Sequence, residues 1–73
     1  MEEAKQALAA YGASLDDEGF IVRQGKRLVK ILRGRDCFHF VDVVGTVFAT
    51  TPDTAQGVKN FVEKVWLWKK VSS

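Results

Sequence analysis

The spacing of hydrophobic and polar positions changes twice along this chain. Over residues 2–11 the apolar side chains Ala4, Ala7, Leu8 and Tyr11 recur at i, i+3, i+4 and i+7, which gathers them on one face of a helix. Alanine is the strongest helix former, and Glu2 and Glu3 suit the positive end of the helix dipole. Gly12 stands just past the last periodic residue, where a helix commonly ends. Ala13-Ser14-Leu15 then reads as a short extended piece closed by a turn at Asp16-Asp17-Glu18-Gly19.

From Phe20 onward β-branched and aromatic residues punctuated by glycine replace the helical period, and the spacing predicts strands over 20–23, 27–33 and 37–43. The intervening residues 24–26 and 34–36 have hairpin-loop lengths, so neighbouring strands are expected to pair antiparallel. Residues 46–50 form a fourth, shorter strand if Val44-Gly45 reverses the chain; otherwise Gly45 marks a bulge in one long strand. Strict alternation along the second strand puts Val29 and Ile31 on one side with Arg27 and Arg33. It puts Leu28 and Leu32 on the other, with Lys30 between them. Neither side is purely polar, which predicts a sheet covered by helices on one face and by another subunit on the other.

Thr51-Pro52-Asp53-Thr54 supplies helix-opening chemistry: a Thr hydroxyl as cap, Pro at the first helical position and an acidic residue in the first turn. Beyond it Ala55, Val58, Phe61, Val62, Val65, Trp66 and Trp68 fall within an arc of about 160° at helical spacing. Trp66 and Trp68, two residues apart on such a helix, diverge by about 160°, so one is expected at the rim, where it serves as an interface anchor unless both rings simply cover the sheet. Ser72-Ser73 is expected to fray. The resulting order, α-β-β-β-(β)-α, is an α+β fold: a small antiparallel meander of three to four strands flanked by an N-terminal and a C-terminal helix, in one domain spanning 1–73.

Composition narrows the function classes. Of 73 residues, 47% are hydrophobic and only one is proline, which excludes a disordered chain. A domain of this size buries only about 60% of its unfolded surface, so self-association or a partner is expected to supplement the core. A single cysteine excludes an intramolecular disulfide framework, and structural zinc sites need more Cys and His than the chain holds. The longest apolar runs, 7–11 and 65–68, fall far short of the ~20 residues that cross a bilayer, and Glu2 and Glu3 stand where a signal peptide carries positive charge. The expectation is a cytoplasmic protein without cofactor or membrane attachment.

The net charge of +2 is an average over unlike segments. Residues 1–20 hold five acidic groups against one basic, residues 21–36 six basic against one acidic, and residues 58–73 four basic against one acidic. The basic set Arg23, Lys26, Arg27, Lys30, Arg33 and Arg35 lies on a predicted β-ribbon and its turns, a form that can track phosphates, and Phe38 and Phe40 on the adjoining strand can stack bases if exposed. Nucleic-acid binding through this ribbon is the alternative function. The element order is similar to that of double-stranded-RNA-binding domains. The similarity is one of order alone, since Pro52-Asp53-Thr54-Ala55-Gln56 stands where those domains open their second helix with lysines, and no function follows from it.

Cys37 and His39, two apart on one strand, leave the same face and bring a thiol near an imidazole. No third orienting group or oxyanion donor accompanies them in sequence, and a metal would need further donors across a dimer axis or from Asp36 or Asp42. Nor do Asp16, Asp17 and Glu18 follow the register of a calcium loop. With no phosphate-loop or nucleophile-elbow motif, the chain reads as a non-enzymatic interaction module, a homodimer or small adaptor, with no catalytic or metal residue assigned. Leu28, Leu32, Trp66 and Trp68 are its expected interface residues.

Overall fold

The computed structural model describes residues 1–71. Two helices and five strands follow in the order α1 (Glu2–Ala9), β1 (Ala13–Leu15), β2 (Phe20–Arg23), β3 (Lys26–Arg33), β4 (Cys37–Val41), β5 (Val47–Pro52) and α2 (Ala55–Lys64). The strands form one antiparallel sheet in sequence order, β1-β2-β3-β4-β5. The α+β class and the helix-flanked meander are therefore as the sequence indicates. The fifth strand is β1, the short extended piece, and the expected strand over 46–50 is the separate β5, shifted to Val47–Pro52, rather than a bulged continuation of β4.

Two of the hairpins close with the same turn. Asp16 Oδ1 accepts from the N–H groups of Glu18 and Phe20, both at 2.9 Å, and Asp42 Oδ1 accepts from Val44 at 3.1 Å and Thr46 at 2.9 Å. In each turn the glycine three residues on donates back to the aspartate carbonyl, Gly19 to Asp16 at 3.1 Å and Gly45 to Asp42 at 3.0 Å. Both glycines have φ near +89°, the left-handed region where a side chain is costly. This Asp-x-x-Gly unit stops β4 at Val41, two residues before the expected end, because Asp42 is spent on capping the turn.

α1 buries Ala4, Ala7 and Leu8 as the periodicity predicts; its last regular residue is Ala9, and Tyr11, in the following turn, stays fully buried on the same side. α2 opens later than expected. Pro52 closes β5, and the capping hydroxyl belongs to Thr54, which accepts from the Gly57 N–H at 3.0 Å. Gly57 lets α2 approach β5: a Cβ there would lie 2.6 Å from the Pro52 carbonyl oxygen. α2 also closes earlier, at Lys64, so Trp66 and Trp68 are not helical. Leu67 takes φ of 57°, the chain turns back, and the Trp68 N–H reaches the Val62 carbonyl at 3.1 Å. The two rings, which would diverge on a helix, instead pack with centroids 4.8 Å apart. Ser72 and Ser73 lie outside the described residues.

Ala4, Ala7, Leu8 and Tyr11 from the α1 region and Val58, Phe61 and Val62 from α2 form one core with Ala13, Ile21, Ile31, Phe38 and Phe40 of the sheet. Phe40 stacks on Phe61 at 4.1 Å between centroids, and Trp66 meets both rings edge-on. Both helices and both tryptophans thus cover the same face of the sheet. Burying Phe38 and Phe40 removes them as base-stacking residues.

Candidate interaction surface

With the helices on one face, register assigns the other. Lys30 pairs with Phe20 and Val41, Leu32 with His39, His39 with Thr50, Cys37 with Pro52 and Val41 with Val47, and these residues lie on the open face, where Val41 is itself buried beneath its neighbours. Leu32 is 42% exposed and Val47 50% exposed there. Phe20 is half-buried beneath two cations, the Arg27 guanidinium 4.7 Å and the Lys30 ammonium 5.7 Å from its ring centroid.

A register shift between β2 and β3 changes which residues share that face. Strict alternation would carry Leu28 with Leu32, but Leu28 and Val29 both pack toward the core, where with Arg27, Trp66 and Trp68 they line a groove of about 430 Å³. The four expected interface residues are therefore divided: Leu32 stands on the open face, while Leu28, Trp66 and Trp68 lie together at the tryptophan groove. A second groove, of about 400 Å³, runs between β5 and α2 past Thr50, Phe61 and Val65.

The six basic residues are likewise dispersed, and three of them hold hydrogen bonds or ion pairs within the fold. Arg23 donates from Nε to the Tyr11 carbonyl at 3.2 Å and stacks on Trp68 at 4.4 Å. Arg27 pairs with Asp16 at 2.7 Å and with Glu18 at 3.5 Å. Arg33 bridges Glu3 of α1 at 3.5 Å and Asp53 at 3.4 Å. Lys26 and Arg35 are exposed at opposite ends of β3, and Lys30 lies on the open face between them. Loss of water raises the Asp16 carboxyl, but the Phe20 and Glu18 N–H groups and Arg27 outweigh it and hold it below its ordinary value. The Glu3 carboxyl is also lowered, first by its own backbone N–H and, against some desolvation, by Arg33. Behind the sheet, the Tyr11 hydroxyl donates to Glu63; burial, reinforced by that carboxylate, pushes the phenol up to about 12.

Cys37 and His39 do meet on the open face: Sγ and Nε2 are 3.5 Å apart, and His39 Nδ1 lies 3.1 Å from Thr50 Oγ1. Thr50 is the orienting partner that sequence reading missed, since it is contributed by β5 and only the β4–β5 register brings it alongside. Among the described residues no three His, Cys, Asp or Glu side chains cluster closely enough to hold a metal ion, and no helix is long and apolar enough to cross a membrane. The chain matches no family model, no curated protein and no solved structure.

Proposed function

We propose that this protein is a non-enzymatic association module that pairs with a second copy of itself through the open face of its sheet. The observation that carries this reading is the one-sided placement of α1, α2, Trp66 and Trp68, which leaves Leu32 and Val47 facing outward on the face that also holds half-buried Phe20. A small domain gains from covering such a face, and a twofold pairing lets the same patch serve both partners. The nucleic-acid alternative has weaker support, because Arg27 and Arg33 already hold carboxylates and Arg23 is stacked on Trp68.

Sedimentation equilibrium across the micromolar range tests the reading. The wild-type chain is expected to self-associate, and Leu32→Asp with Val47→Asp to weaken association at least tenfold while leaving the far-ultraviolet spectrum unchanged. A wild-type chain that stays monomeric throughout, or association indifferent to both substitutions, overturns it.

A further inference from the structure

Cys37, His39 and Gly34 lie together on the open face. Two ligands of one tetrahedral zinc ion, with bonds of about 2.3 Å to sulfur and about 2.0–2.1 Å to nitrogen, are themselves separated by about 3.5 Å. Cys37 Sγ and His39 Nε2 stand 3.5 Å apart. Gly34 keeps the space beside both donors clear, since a Cβ at this position would lie 2.7 Å from Sγ and 2.7 Å from Nε2. Thr50 completes the arrangement from the other side of the ring. In the tautomer whose Nδ1–H donates to Thr50 Oγ1, 3.1 Å away, the imidazole presents its Nε2 lone pair to the cysteine, as a ligating histidine requires.

Two donors do not satisfy a tetrahedral ion, and the described residues offer no third. A second copy of this chain does. We infer that the open face binds one zinc ion between two copies, each supplying Cys37 Sγ and His39 Nε2 to a Cys2His2 set; the inference rests on the reading that this face meets a second copy. Binding displaces the thiol proton of each Cys37 to solvent, so that two thiolates cancel the 2+ charge of the ion. The centre is then neutral, the form that two facing sheets tolerate best.

The test uses the full chain, freed of metal with a chelator, then titrated with Zn2+ or with Co2+ as a spectroscopic probe, and followed by sedimentation equilibrium. The expected result is saturation at one ion per two chains, thiolate-to-cobalt charge-transfer bands with tetrahedral visible bands, and dimerisation strengthened at least tenfold by zinc. Cys37→Ser and His39→Gln should each abolish the bands and the zinc effect. Gly34→Ala, which keeps both ligand residues but crowds Sγ and Nε2 with a Cβ, should weaken binding at least tenfold. Dimers that persist under chelator and in Cys37→Ser, without cobalt bands, would overturn the metal site and leave the association reading standing. A chain monomeric with and without zinc would overturn both, and one ion bound per monomer would overturn the shared site.

Discussion

Tyr11 is the only tyrosine in the chain, and its hydroxyl, fully buried against Glu63, ties the end of α1 to α2. Its phenol is raised in the folded state, so its contribution to stability is complete below the ordinary tyrosine value of 10.0 and is lost as pH rises toward about 12. Ultraviolet titration of tyrosinate reads this group alone, and the expected midpoint lies well above 10, with unfolding accompanying ionisation. Tyr11→Phe should remove that alkaline transition and cost about 1 kcal/mol at neutral pH by denaturant unfolding, the usual worth of one hydrogen bond. Leu67 presents the opposite opportunity. It is a non-glycine residue at φ 57° and its side chain is 75% exposed, so the conformation is costly and little burial offsets it. Leu67→Gly is expected to stabilise the fold by about 1 kcal/mol, measured by the same unfolding curves.

At the scale of elements, what the sequence makes legible depends on how local the deciding interaction is. The Ala4, Ala7, Leu8 and Tyr11 stripe locates α1, and the β-rich runs between glycines locate β2, β3 and β4, because period and turn chemistry act within a few residues. The end of α2 escapes such a reading, since periodicity continues through Trp68 while the packing of Trp66 on Phe40 and Phe61, and of Trp68 near Tyr11, requires the chain to leave the helix. The bulge beside Leu28 and the pairing of His39 with Thr50 are set by inter-strand register and are invisible along a single strand. The Asp-x-x-Gly turns were within reach, for Asp16 and Asp42 each precede a glycine by three residues. Asp42→Ala removes two backbone contacts from an exposed turn and should cost about 1 kcal/mol. Asp16→Ala should lower the melting temperature at neutral pH but have little effect in acid. Its carboxyl is depressed in the folded state, so its stabilisation is present above the ordinary carboxylate range and disappears as pH falls through the folded value.

For the molecule as a whole, a single core joins both helices to the sheet and includes the surroundings of both tryptophans. Tryptophan fluorescence and far-ultraviolet dichroism should therefore lose their native signals at the same denaturant concentration, and separated midpoints would show that the tail carrying Trp66 and Trp68 melts independently. The meander also has a consequence for how the chain reaches this state. Every strand pairs only with its neighbour in sequence, so the sheet assembles by short-range closures without waiting for distant segments to meet. The long closure is the joining of the α1 region to the segment after α2, where Tyr11 meets Glu63 and the Val71 N–H reaches the Ala10 carbonyl at 2.9 Å. Zipping is thus local and latching is remote: a nascent chain can complete its strands in order of synthesis, but it is held shut only once Glu63 and Val71 have emerged.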